Sequence, residues 1–183
     1  MDYYFDIRVK PDAEMRKNVI LNKVYTKFHK ALSELNSNNI GVSFPEYNIM
    51  LGCVLRIHGT ETNLQKIQSS QWLGGLIGYC QISTIQIVPE QVKYRTVSRI
   101  QSTMSPSKLK RLIKRGSIND AEVKRYKAKM FQKGLDNPYL ELESATNSHL
   151  HRRYLSFGGL RNSPTEGLFD HFGLSKIATI PWF

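Results

Sequence analysis

An α+β fold is what this sequence predicts, on three observations. Four strand-like apolar stretches fall in the first ninety residues, two amphipathic helical stretches are interleaved with them, and after Pro89 the chain becomes strongly basic. Tyr3, Phe5, Ile7 and Val9 alternate with polar neighbours, the period of a half-buried strand, until Pro11-Asp12 breaks the run. Ile20, Val24, Phe28, Ala31 and Leu35 then fall within an arc of roughly 80° at helical spacing, the stripe a helix presses onto a core. His29 lies about 120° from the middle of that arc, beside Tyr25, and is expected outside the core. By itself it reads as a solvated surface histidine.

IGVSF (40–44) and MLGCVLRIHG (50–59) read as two strands joined by a loop around Pro45. TNLQKIQSSQWL (62–73) reads as a second helix, and CQISTIQIV (80–88) as a fourth strand ended by Pro89. The order β-α-β-β-α-β is that of a ferredoxin-like (RRM-like) unit, shared by many unrelated proteins. The aromatic pattern with which ordinary RNA-recognition motifs stack bases is absent from it.

The change of character divides the chain into residues 1–93 and 94–183. Ser105-Pro106 is a good N-cap and first-turn pair, opening a short basic helix at about 105–116. Leu109, Leu112 and Ile113 form its inner side. Arg111 and Arg115, four apart, project on the opposite face with Lys108 nearby. A further helix is expected from about Asn119 to Lys133, closed by Gly134. YLELES (139–144) and HLHRRYLSF (149–157) then read as a β-hairpin.

The 183 residues carry 26 Lys plus Arg against 15 Asp plus Glu, for a net charge of +11. Eleven of those bases and only two acids lie between Arg95 and Lys129. Lys108, Lys110, Arg111, Lys114 and Arg115 repel one another unless phosphates approach, so a polyanion is the expected partner. No apolar run is long enough for a membrane span, and MDYYFDIRVKPD lacks the layout of a secretory signal. No membrane partner is expected, and the expected location is the cytoplasm.

Cys53 and Cys80 have no metal-ligand spacing and read as buried thiols. His149 and His151 share a strand face, but no third ligand sits at a telling distance, so neither metal nor cofactor is expected. His58 and His171 are explained equally well by packing or exposure. Asp2, Asp6, Asp12 and Glu14 suggest turns and caps rather than a two-metal nuclease. What remains for a nuclease is RNA's own 2′-hydroxyl attacking the adjacent phosphorus, assisted by a base such as histidine.

MDYYFDIRVKPD, FHKAL around His29, IGVSFP (40–45), LRIHG (55–59), YRTVSRIQ (94–101), the basic helix, GLSK and PWF resemble, in order and spacing, one family. It is the CRISPR repeat-RNA endoribonuclease of the type I-F system, within the repeat-associated RNA-processing superfamily. The resemblance implies a protein that binds the repeat stem-loop and cuts at the 3′ base of the stem without metal. The products carry a 5′-hydroxyl and a 2′,3′-cyclic phosphate, and the protein stays on the crRNA with other subunits of an interference complex.

The resemblance places the catalytic histidine on His29 and the catalytic serine on Ser144, with Ser148 as the alternative. Base reading at the foot of the stem falls on Arg99 and Gln101. Tracking of the groove falls on an arginine-rich helix bearing Lys108, Arg111, Lys114 and Arg115. Two positions depart from the family. Its active-site tyrosine is Phe172 here, and the aromatic residue that stacks on the terminal base pair is His151. These departures keep open a hairpin-binding assembly subunit that cuts poorly or not at all, and a DNA-binding regulator is the third reading.

Overall fold

The computed structural model describes residues 1–100, 106–132, 137–143 and 150–183. The chain is a mixture of sheets and helices. β1 (Tyr3–Val9) is central to the largest sheet, flanked by β3 (Val54–Gly59) and β4 (Cys80–Ile82), with β2 (Gly41–Ser43) outside β3. All these pairs are antiparallel, and the spatial order is β2-β3-β1-β4. α1 (Lys17–Glu34) connects β1 to β2, and α2 (Glu61–Ser69) follows β3.

Phe5, Ile7 and Val9 are buried, as the alternation in β1 requires, against Ile20, Val24 and Phe28 of α1 and Leu64 and Ile67 of α2. Two of the N-terminal acids have structural partners: Asp6 pairs with Arg56 at 2.7 Å, and Asp12 Oδ1 accepts from the backbone of Glu14 and Met15.

Several boundaries differ from the sequence reading. The strand expected from Met50 begins at Val54, because Gly52 adopts φ +81° and the Glu46 carboxylate accepts from Cys53 N in a tight loop. The second helix stops at Ser69, and the chain then turns through Gln71 and Gly74, both with positive φ, into a 3₁₀ turn at Gly74–Tyr79. The fourth strand is split. β4 and β5 (Gln86–Ile87) both pair with β1, and between them the Ser83 hydroxyl accepts from Asp6 N in place of a regular ladder. Leu35 is exposed at the end of α1, whereas Leu21, Tyr25 and Leu32 widen its buried face. Cys53 and Cys80 are only half-buried. His58 is buried against the Ser43 hydroxyl, and burial pushes its pKa down to about 3, so it is a neutral core residue.

In the second half, β6 (Lys93–Arg95) pairs with β10 (Ile180–Trp182), and β7 (Val97–Ile100), β9 (Leu150–Phe157) and β8 (Tyr139–Glu143) form a sheet in the order β7-β9-β8. Leu140, Leu142 and Leu155 from this sheet join the same apolar cluster as the residues of α1. The basic helix is α3 (Pro106–Lys114). Gly116 closes it at φ +65°, with Gly116 N and Ser117 N donating to the Ile113 and Leu112 carbonyls. Of its expected inner residues Leu109 is buried, but Ile113 is half-exposed. α4 (Asp120–Gln132) starts with a reciprocal cap between Asn119 and Glu122, an arrangement that contributes about 1 kcal/mol. Among the described residues no helix is long and apolar enough to cross a membrane.

Candidate active site

The segment from Asp170 to Leu174 folds over the end of α1 because one carboxylate organises it. Asp170 Oδ1 accepts from the backbone nitrogens of Phe172 and Leu174, both at 2.9 Å, and Gly173 N donates to the Asp170 carbonyl. Gly173 has φ +70°, and a Cβ there would lie 2.9 Å from Val42 Cγ1, so both the turn and the packing require glycine.

Three successive carbonyls of this loop are then pinned to the first half of the chain. His171 O accepts from His29 Nδ1 at 2.8 Å, Phe172 O from the Tyr25 hydroxyl at 2.6 Å, and Gly173 O from Val42 N at 3.0 Å. Tyr25 is fully buried, and its hydroxyl is held far above its ordinary pKa by burial, so it stays a donor.

His29 is therefore half-buried under this loop rather than solvated. A carbonyl only accepts, so Nδ1 carries the proton and the lone pair of the neutral ring is on Nε2. The Phe172 ring stacks on the imidazole with centroids 3.5 Å apart and planes 10° from parallel. The Arg153 guanidinium carbon stands 3.4 Å from the same centroid, and since His29 fills one face, Arg153 covers the other. Burial is the main cause that lowers the His29 pKa below its ordinary 6.5. The charges of Arg153 and His171 add to it, against the His171 carbonyl and Asp170. The ring is neutral at neutral pH, and among the described residues no hydrogen bond engages Nε2, which can take a proton.

His29, Arg99, Arg153, Asp170, Phe172 and Lys176 line a cleft of about 380 Å³. A second hollow of about 370 Å³ shares Arg99, Asp170 and Lys176 with it and adds Ser98 and Ser175. Three cations against one carboxylate, already engaged by backbone donors, make this a site for an anion. Larger hollows beside Met50 and beneath Trp72 contain no histidine, so volume does not decide the matter.

Of the sequence-predicted residues, the structure brings His29 and Arg99 to one cleft. Lys108, Arg111 and Lys114 are exposed on α3, and Arg115 is exposed in the turn that follows it. His151 is exposed on β9, opposite Leu142. Gln101, Ser144 and the alternative Ser148 lie outside the described residues, as does His149. Among the described residues no group of three or more His, Cys, Asp or Glu is placed to hold a metal ion.

Sequence reasoning missed Arg153, Asp170, the His171 carbonyl and Lys176. Arg153 did leave a signal: it interrupts the row of alternate β9 residues whose next members are Leu155 and Phe157, so a cation had to be facing inward.

The profile of the family described as CRISPR-associated protein (Cas_Csy4) matches residues 4–183. The CRISPR-associated endonuclease Cas6/Csy4 of Escherichia coli (strain UTI89 / UPEC) is 37% identical over 184 residues, covering 100% of both chains. The protein of the same name from Pseudomonas aeruginosa (strain UCBPP-PA14) is 34% identical over 187 residues, again covering 100% of both. A solved structure of Thermus Thermophilus Cse3, bound to an RNA representing a pre-cleavage complex, aligns over 99% of this chain and 100% of its own. Its 11% identity and TM-score of 0.38 carry no argument about residue placement.

Proposed function

This chain belongs to the Cas_Csy4 family of CRISPR-associated proteins, and on that premise we propose that it is the endoribonuclease that cuts its own CRISPR repeat hairpin by attack of a ribose 2′-hydroxyl. The observation that carries the reading is the His29 ring. Its Nδ1 is tied to the His171 carbonyl, and its other nitrogen is left as a neutral base on a cationic cleft. Both full-length relatives are named endonucleases, and the strand order β2-β3-β1-β4 supports a ferredoxin-like reading of residues 1–93.

In the proposed reaction Nε2 takes the 2′-OH proton while the cationic side chains hold the scissile phosphate in line. The 2′-oxygen closes on phosphorus to give the cyclic phosphate, and the 5′-oxygen leaves as a hydroxyl. The nucleophile belongs to the substrate and the charge is met by side chains, so the step is proposed to be independent of metal. Ser144 is proposed to hold the nucleophilic ribose, and Arg99 and Gln101 to read the foot of the stem. The arginines of the helix at about 105–116 track the groove, and His151 stacks on the terminal pair. After cutting, the protein is proposed to keep the crRNA within a type I-F-like interference complex in the cytoplasm.

The pH dependence of kcat/KM in EDTA tests this reading, because it reports the free protein's essential base. A base must be unprotonated, and the lowered pKa of His29 keeps it so to lower pH. Activity is expected to be level from pH 8 down to 7 and to fall with a midpoint below about 6.5. A midpoint above that value, or a rate indifferent to pH, overturns the assignment.

A further inference from the structure

We propose that Arg153 is a further catalytic residue, whose guanidinium holds the non-bridging oxygens of the scissile phosphate in the cleft it shares with His29. The inference rests on the endoribonuclease reading and deepens it at the same site. Arg153 is only 6% exposed, and its Nε has no hydrogen-bond partner among the described residues. Among the described residues no carboxylate pairs with it: the ion pairs there are made by Arg8, Arg56, Arg152 and the N-terminus. A buried, unpaired cation is strongly unfavourable, and a fold that retains one gains when an anion arrives.

Its placement follows from β9. Arg153 pairs across the ladder with Leu140, and Arg99 with the next inward residue, Leu155. The two guanidinium groups thus reach one cleft from adjacent strands. They repel each other there, and burial first, then that repulsion, lowers the Arg153 pKa, against Tyr25 and Asp170. An anion between them relieves it. Stacking on Phe172 fixes the plane of the guanidinium but satisfies none of its N–H donors.

The chemistry needs such a group. As the 2′-oxygen bonds to phosphorus and its proton passes to His29 Nε2, the diester monoanion becomes a dianionic phosphorane. The bond to the 5′-oxygen then breaks, and that oxygen takes a proton from water. The added charge falls on the non-bridging oxygens, where a planar, two-donor cation already in place acts most strongly.

The test is single-turnover cleavage, in EDTA, of a synthetic repeat RNA from the array beside the gene. Affinity is read on the same RNA carrying a 2′-deoxy at the cut site, and folding from thermal melting. Arg153→Met is expected to cut about 100- to 1,000-fold more slowly at saturating protein, with affinity weakened by a smaller factor, because the bound diester carries one charge fewer than the phosphorane. Arg153→Ala is expected to regain at least about tenfold when guanidinium ion is added at millimolar concentration, a rescue that a packing role would not give. Wild-type cutting by a folded Arg153→Met, or a slow Arg153→Ala that guanidinium does not help, overturns the proposal. If neither variant folds, Arg153→Lys decides: it keeps the charge, and is expected to cut at least about tenfold more slowly at unchanged affinity, whereas wild-type cutting overturns the proposal. Wild-type protein that leaves the RNA intact overturns the endoribonuclease reading and this inference with it, a result distinct from the loss of the Arg153 role alone.

Discussion

His29→Ala is expected to slow single-turnover cleavage of the repeat hairpin by about 100- to 10,000-fold in EDTA, the range a general base contributes. Affinity for a non-cleavable hairpin should stay within about threefold of wild type. The two readouts should separate because the imidazole is half-buried beneath the 170–174 loop with only Nε2 left to act, whereas the exposed cations of α3 are the proposed RNA-binding charge. Loss of the ring also removes the partner that Phe172 stacks upon and the donor to the His171 carbonyl. The loop nevertheless keeps its other two tethers, from Tyr25 and from Val42. A global collapse is therefore not expected, and a melting curve close to wild type should accompany the loss. If the variant cuts at the wild-type rate, His29 is not the base.

Arg111→Ala and Arg115→Ala should act in the opposite sense, weakening the hairpin complex while leaving the cleft chemistry intact at saturating protein. Each is expected to cost roughly 1–3 kcal/mol of binding if it contacts a guanine edge. A contact to phosphate instead lowers the slope of log affinity against log salt by about one. Both side chains are exposed, and the helical hydrogen bond from Arg115 N to Arg111 O continues the turn that sets them on one side. Gly116 then closes the helix, so truncating either arginine leaves its caps untouched. Binding measured over a salt series checks this, and unchanged affinity and slope would remove α3 from the RNA interface.

The two halves of the chain were unequally legible in the sequence. β1 announces itself because its residues alternate between a buried and a solvated side, and α1 because its core stripe is continuous. The errors come where long-range contacts decide. Tyr25 is buried with its hydroxyl satisfied by the Phe172 carbonyl, 147 positions away. The fourth strand splits because Ser83 finds Asp6.

His29 was visible as a residue off the core stripe, and family resemblance supplied a role for it. Its tautomer and its lowered pKa arise from a loop that no local pattern connects to α1. Arg153 was readable in principle as the cation in an inward-facing row, yet its lack of a carboxylate partner among the described residues emerges only from packing. Phe172, a lost hydroxyl in sequence terms, is in the structure a spacer between the His29 imidazole and a guanidinium.

The attacking group is proposed to be the RNA's own 2′-hydroxyl, activated by a neutral His29. One measurement tests it most directly: wild-type protein in EDTA, given the repeat hairpin with ribose throughout or with a single 2′-deoxy nucleotide at the cut site. The first should be cut rapidly to a 2′,3′-cyclic phosphate end and a 5′-hydroxyl, and the second should stay intact while binding equally well. Cutting of both, or of neither until a divalent metal is restored, would contradict it.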